Sequence, residues 1–408
     1  VRATADAVVV GSGIIGASIA FQLARHQMGK VIVLDKGAGP AEGSTGASSS
    51  ICRCRYTHDE VVRLAHYGLE AYGNWSEFTG LPEPRVGLQR IGVLWMLGQS
   101  REEVEADASR LRHQGVAALA IDPEELVARF PAMSSCGEPV DMESDHTCRP
   151  GEAFLLEERG GYVEPTGANQ DLIEAARAQG VDVRFRSRVT GVRRTNGRVV
   201  GVDLGDGTAI DAGVVINAAG PWCNVLNAMA GVELRWTLTP TRIQTVYRDW
   251  PLDLGPLPAT ADSSTGIYFR PDGPRLLVGS VLPEDEEEIV SDPDDFKRSP
   301  DADFRDLKLA ALHHRLPGLA ARGTPSGICG LYTINREDVH PVLGPTGLEG
   351  FWVANGFSGH GFKLAPGVGS MMAQSLTGTS LPSDTDVPLG FFAVDREPIF
   401  VAVKHVLA

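Results

Sequence analysis

"AVVVGSGIIGASIAFQLARHQMGKVIVLDK", residues 7–36, decides the fold. Residues 7–10 are apolar and mostly β-branched, as in a parallel strand buried on both faces. Gly11, Ser12 and Gly13 make a turn, and from Ile14, Ile15 and Gly16 onward the apolar residues recur at helical spacing. A second β-branched run ends in Asp35 and Lys36. Gly11 permits the tight turn, Gly13 lets a pyrophosphate reach the backbone, and Gly16 lets the helix lie close to the strand. The positive end of that helix faces the phosphates. Asp35, nineteen residues after Gly16, accepts hydrogen bonds from ribose hydroxyls. A lone glycine triplet is a weak signal, but strand, turn, helix, strand and acid in this order specify dinucleotide binding.

The rest of the chain bounds the function. Its 408 residues suit one large or two interleaved domains around a real core. It is 43% hydrophobic with a net charge of −15, which argues against nucleic acid or an anionic membrane as partner. The acidic runs 284–288 and 292–295 read as solvated loops. Cys52, Cys54, Cys136, Cys148, Cys223 and Cys329 form no CxxC pair and no zinc-like Cys/His spacing, so neither a metal site nor a disulfide framework is expected. Residues 7–24 could be misread as a secretory leader, but no cleavage region follows and the run passes straight into a second strand. A cytoplasmic location is the expectation.

The first glycine turn alone does not separate NAD from FAD, but the order of the chain favours FAD. "EGSTGASSS" (42–50) follows Asp35 closely, and a second phosphate-friendly loop there suits a larger dinucleotide lying across the domain. Residues 102–130 look helical and polar on one face, with Asp122 capping a helix at Pro123. Residues 160–185 read as strand, loop, helix, strand. Residues 188–220 read as a meander with a hairpin turn at Asn196-Gly197. Residues 231–280 alternate like a second sheet with aromatic and basic residues on the same strands. "NGFSGHGFKLAPGVG" (355–369) carries five glycines before a helix-like run, as if a flat cofactor lay against the backbone.

Together, "VVVGSGIIGASIAFQLA", "GSTGASS", "GYVEPTGANQDLIEAA", "VINAAGPW", "GLYTINREDVHPVLG" and "GFSGHGFKLAPGVG" resemble the D-amino-acid oxidase and sarcosine oxidase superfamily of FAD enzymes. The resemblance is closest to sarcosine oxidases and to N-methyl amino acid and dimethylglycine oxidoreductases. It implies an α/β (α+β overall) fold: a Rossmann-type FAD-binding domain interleaved with a substrate domain on a mostly antiparallel sheet. The FAD-binding domain would comprise 1–80, 155–230 and 325–380, the substrate domain 81–154 and 231–324, and a tail 381–408 would pack on the former.

The implied reaction is oxidation of a C–N bond in a secondary or N-methylated amino acid, with hydride transfer to flavin and imine hydrolysis. The alternatives are a D-amino acid, glycine or cyclic imino acid as substrate, or a flavin-carrying subunit of a hetero-oligomeric sarcosine oxidase-like complex. A rival of another class is an NAD-dependent dehydrogenase. Molecular oxygen or another acceptor would take the electrons, and a homo- or hetero-oligomer is left open.

By the same resemblance, FAD would contact Gly11, Gly13, Ile14, Ile15, Gly16, Asp35 and Lys36 at the first turn. Ser44, Thr45, Ala47 and Ser48 would follow in the next loop, then Val189, Ala219, Gly220 and Trp222. Cys329, Gly330, Tyr332, Gly356, Ser358, Gly359, His360, Gly361, Phe362 and Lys363 would complete the contacts. Gly359, Gly361, Gly367 and Gly369 would all be small because the flavin ring lies against them. Lys363 would bind the substrate carboxylate together with Arg53, for which Arg55 is the competing register. Tyr268 and Arg270 would share a substrate-facing strand face, and His360 would touch the flavin or the amine proton, or serve structure alone. FAD is expected to be non-covalent. Gly330 stands between Cys329 and Leu331-Tyr332 where some members place the attaching cysteine directly, and "GSTGASS" holds no histidine, so Cys329 remains the one covalent option. Leu277 occupies the place of the lysine that promotes reaction with oxygen, with Arg275 the nearest cation.

Overall fold

The computed structural model describes residues 3–140, 146–250, 254–320, 323–401 and 404. The opening segment forms the strand Ala3–Val10, the helix Ile14–Arg25 and the strand Val31–Leu34, in parallel register from Ala7–Val31 to Val10–Leu34. The strand Asp182–Arg184 extends this sheet beyond Val31–Leu34. On the other side, Ala209–Asn217 and then Phe351–Asn355 add in parallel, and Val342–Pro345 closes the edge antiparallel. The meander Val189–Thr195 and Arg198–Leu204 leads into Ala209–Asn217. Its turn residues Asn196 and Gly197 are both left-handed (φ 51° and 77°), as the dipeptide predicts.

The second sheet runs Ser326–Asn335, Leu238–Asp249, Arg275–Ser280, Ile267–Asp272, Ala259–Asp262, Val93–Met96, Phe154–Glu157, Ala118–Ile121. Neighbours are antiparallel except Ala259–Asp262 with Val93–Met96. Its strands alternate along the chain with those of the first sheet. The helix Ala302–Arg315 packs on it. Asp122 caps the helix Pro123–Arg129 by accepting a 2.8 Å bond from the Glu125 amide, as expected. The polar stretch before it is not one helical unit: the helix Arg101–His113 is followed by the strand Ala118–Ile121.

The carboxy-terminal glycines behave differently from expectation. The helix starts at Gly361 and runs to Thr377, so Gly367 and Gly369 lie inside it. A Cβ at Gly367 would strike the Leu64 side chain, and one at Gly369 would strike Ser18. They are small because the helices Asp59–Gly73 and Ile14–Arg25 cross here, not because a ring lies on them. Pro366, inside the helix, leaves the Phe362 carbonyl without its usual amide donor. The Tyr72 hydroxyl donates to that oxygen at 2.9 Å. Tyr72→Phe should therefore cost about 1–2 kcal/mol, the penalty for a buried acceptor left unpaired, and lower Tm by a few degrees in a thermal melt. An unchanged Tm would mean that the carbonyl finds another donor.

No helix among the described residues is long and apolar enough to cross a membrane.

Candidate active site

A cavity of about 390 Å³ opens where the first strand, first helix and second strand meet. Gly11, at φ +104°, sits so close to the next parallel strand that a Cβ would strike the Ala218 carbonyl. Gly13 is the residue before the helix, and a Cβ there would lie 3.1 Å from Thr45 Oγ1. That hydroxyl accepts the Ile14 amide at 3.0 Å, which ties the 42–50 loop to the helix start. The first turn carries no acidic side chain, so its positive pole is open to an anion. Asp35 Oδ2 accepts both the Ser12 amide and the Ser12 hydroxyl at 2.7 Å, and Oδ1 accepts the Gly37 amide at 2.7 Å. The carboxylate is thus oriented at the end of its strand, on the cavity wall.

The wall holds Gly11, Gly13, Ile14, Ile15, Asp35, Lys36, Ser44, Thr45 and Ser48. It continues through Val189, Ala219, Gly220, Trp222, Tyr332, Gly356, Ser358, Gly359, Gly361 and Phe362. The start of the last helix therefore faces the cavity. Gly16, Ala47 and Gly330 act one layer behind. A Cβ at Gly16 would strike the Gly11 carbonyl, and one at Gly330 would come within 2.5 Å of the Ala47 methyl. Cys329 lines neither this cavity nor the smaller one beside it; its pairing strand turns it toward Arg242, and burial pushes its thiol up.

That smaller cavity, about 50 Å³, shares Ser48, Tyr332, Gly359 and Phe362 with the first. Lys363 and Arg53 line it, both almost fully buried, with Tyr268. Burial, then the Arg53 charge, lowers the Lys363 ammonium to about 7, while Cys52, Glu157 and Cys54 oppose the shift. Glu157 holds the Arg53 segment in place: its carboxylate accepts the Cys54 amide at 2.6 Å, the Arg55 amide at 3.1 Å and Trp95 Nε1 at 2.8 Å. Burial pushes Glu157 up as well. Arg53 stacks over Tyr56 at 4.2 Å and Trp95 at 5.0 Å. Arg55 pairs instead with Asp107 at 2.6 Å, so Arg53 is the arginine on the wall.

Tyr268 faces Gly279 across the sheet, where a side chain would strike its ring. Burial pushes its phenol up to about 12, so it stays a neutral donor. Arg270 does not join it on the wall. Its Nε donates to the Ser49 carbonyl at 2.6 Å, its Nη1 pairs with Asp272 at 2.9 Å, and its plane lies 4.1 Å over Tyr162. It anchors the 48–50 loop. The His360 ring packs 5.3 Å from Tyr56 and lines neither cavity. Cys52 is pushed up to about 12 by burial and Cys54 well above the usual thiol range, so both remain neutral thiols.

The sequence profile of the family described as FAD dependent oxidoreductase matches residues 6–375. The chain belongs to this family. It is 29% identical over 408 residues to the bovine (Bos taurus) FAD-dependent oxidoreductase domain-containing protein 1, covering 90% of this chain and 80% of that protein. It is 28% identical over 422 residues to the human (Homo sapiens) peroxisomal sarcosine oxidase, covering 96% of each. Its backbone superposes on the L-proline dehydrogenase of P. horikoshii with a TM-score of 0.80 at 23% identity, over 97% of this chain and 98% of that one.

This FAD-dependent oxidoreductase also uses residues that its sequence did not single out. The run 292–295 is not simply solvated: Asp294 lines the larger cavity, pairs with Lys36 and lies 3.5 Å from Arg188. Lys36 in turn stacks 3.8 Å over Trp222. In the run 284–288, Glu286 is buried and Glu288 pairs with the buried Arg242 at 2.7 Å. Glu157 was silent because a strand carboxylate carries no motif; only the fold puts it under Arg53. The residues fit FAD: a glycine turn with no room for a Cβ, an unopposed helix start, an oriented Asp35 and an apolar floor.

Proposed function

We propose that this enzyme oxidises the C–N bond of a small secondary or N-methylated amino acid, sarcosine-like, with imine hydrolysis completing the reaction. Bound FAD supplies the hydride-equivalent acceptor. The observation that carries the reading is the pair Arg53 and Lys363, two buried cations in one small cavity that opens onto the cofactor cavity. Two buried cations with a single anionic ligand between them are what a carboxylate-bearing substrate requires. Arg53 offers a planar fork, and Lys363, protonated as the carboxylate enters, a point charge. The substrate's other end then meets Tyr332 and Gly359, residues shared by both cavities. The walls contributed by Val93, Ala259 and Phe362 exclude water and leave room for a short N-substituent.

The enclosed volume favours a small amino acid over one with a long side chain. Cys329 on the far face of its strand favours non-covalent FAD. The strand Arg275–Ser280 brings no cation to either cavity: Leu277 is buried in the core, and Arg275 stacks 4.3 Å over Tyr247. This favours an acceptor other than oxygen.

An anaerobic titration tests the reading. The visible flavin band should disappear on adding sarcosine or another N-methyl amino acid and return slowly on admitting air. Bleaching by D-alanine or proline alone would replace the substrate class. A yellow protein that none of them bleaches would sink it.

A further inference from the structure

We propose that Cys136, His146 and Cys148, with His314 as the fourth ligand, bind a zinc ion at a structural site remote from the flavin. One ligand atom from each of the first three lies within 4.8 Å of the others. Cys136 Sγ and His146 Nε2 are 3.3 Å apart. Tetrahedral zinc, with Zn–S of about 2.3 Å and Zn–N of about 2.0–2.1 Å, holds such a pair about 3.6 Å apart, so this pair needs only a few tenths of an ångström of adjustment. The His314 ring meets His146 edge-on with centroids 4.5 Å apart; its nitrogens lie outside the 4.8 Å group, so the ring must move toward the other three to take the fourth position. Among the described residues its Nε2 is buried with no hydrogen-bond partner. A buried imidazole nitrogen normally has one, and an ion here would supply it.

Backbone structure, not the ion alone, assembles the cluster. The Gly137 amide donates to the Arg149 carbonyl at 2.8 Å and the Gly151 amide to the Ser135 carbonyl at 3.0 Å, so the two arms carrying Cys136 and Cys148 run side by side. The Ser134 amide donates to the Arg315 carbonyl at 2.8 Å, which brings this pair of arms to the end of the helix bearing His314. The Arg315 guanidinium is neutralised by Asp262 at 2.7 Å and presents no uncompensated charge to a cation. Cys148 is exposed, which leaves a route from solvent. Two thiolates and two imidazoles form a closed, neutral tetrahedral set with zinc, the soft-to-borderline donor combination of structural zinc sites.

None of the four residues lines either cavity of the active site. The consequence would be structural: zinc would staple the two arms that carry Cys136 and Cys148 to the helix Ala302–Arg315, and with it to the sheet that carries Tyr268. The ligands escape any sequence motif, because Cys136-x9-His146-x-Cys148 lacks the usual short cysteine spacing and His314 comes from a distant helix.

The test uses the untagged FAD-bound enzyme, expressed with zinc, gel-filtered and analysed by elemental mass spectrometry. One zinc per chain is expected. Cys148→Ser should lose it while keeping its FAD, and His314→Ala should bind zinc at least tenfold more weakly in competition with a chromophoric chelator. Cobalt in place of zinc should give intense red-region bands of a tetrahedral thiolate site, clear of the flavin absorption. Wild-type enzyme without zinc or cobalt bands, Cys148→Ser with an undiminished zinc content, or a Cys136–Cys148 disulfide in the intact mass would each overturn the site. Unchanged affinity in His314→Ala would remove the fourth ligand. Should Cys148→Ser fail to fold, the metal content and cobalt spectrum of the wild-type enzyme decide.

Discussion

Lys363→Met should bind FAD as the unaltered enzyme does and lose about thirtyfold or more in kcat/KM for its substrate, the cost of about 2–5 kcal/mol expected when one member of a buried charge pair is removed. Lys363 lines the smaller cavity and not the larger, so cofactor content should not change. A pH profile isolates its role. Acetate carries the carboxylate without an amine, so its inhibition constant reports the cationic pair alone. With the Lys363 ammonium lowered to about 7 by burial, it is charged below that pH and neutral above it in the free enzyme. The acetate inhibition constant should therefore be flat below about pH 7 and rise above it by up to about tenfold per pH unit. In Lys363→Met the constant should be weaker at every pH and flat. A guanidinium, charged across this whole pH range, gives no such slope. A wild-type profile without the rise, or a variant with unaltered kcat/KM, would take the carboxylate contact away from Lys363.

Gly16→Ala should yield protein with little or no FAD and a markedly lower Tm. A Cβ there would overlap the Gly11 carbonyl oxygen, and both partners are backbone, so no side chain can swing aside. Gly11 is itself pinned on the other side by Ala218. The turn can relieve the overlap only by lifting the helix off the strand, which opens the wall of the larger cavity where the helix starts. Overpacking of this kind costs about 1–3 kcal/mol even where a core can shift, and here there is nowhere to shift. FAD content after gel filtration and a thermal melt of the apoprotein separate the two effects. Full FAD occupancy with an unaltered Tm would show that the turn is looser than its geometry implies.

The two predictions differ in how far the sequence alone leads to them. The turn was legible because its chemistry is local: Gly11, Gly13, Gly16 and Asp35 have their roles fixed by spacing within one strand–helix–strand unit. The hairpin at Asn196-Gly197 and the cap at Asp122 were legible for the same reason. The resemblance supplied Lys363 and Arg53, and the fold separated Arg53 from Arg55 by giving the latter to Asp107. Arg270 shows the limit of strand alternation. It follows Tyr268 by two residues, yet a long side chain goes where its partners are, and Ser49, Asp272 and Tyr162 draw it behind the wall.

By itself, then, the sequence determined the glycine turn and the strand–helix–strand unit around it, because these rest on short-range backbone demands that a few residues announce, while the cofactor family came from a resemblance spread over nearly the whole chain. Only the tertiary structure decided why Gly367 and Gly369 are small, that Glu157 supports Arg53, that Asp294 lines the larger cavity, and that Cys136 and Cys148 lie beside His146. Each of these depends on helices crossing or strands meeting across long stretches of chain. Close approach between distant segments leaves no periodic trace in a sequence, since a glycine that admits a neighbouring helix and a glycine that admits a ligand are the same letter.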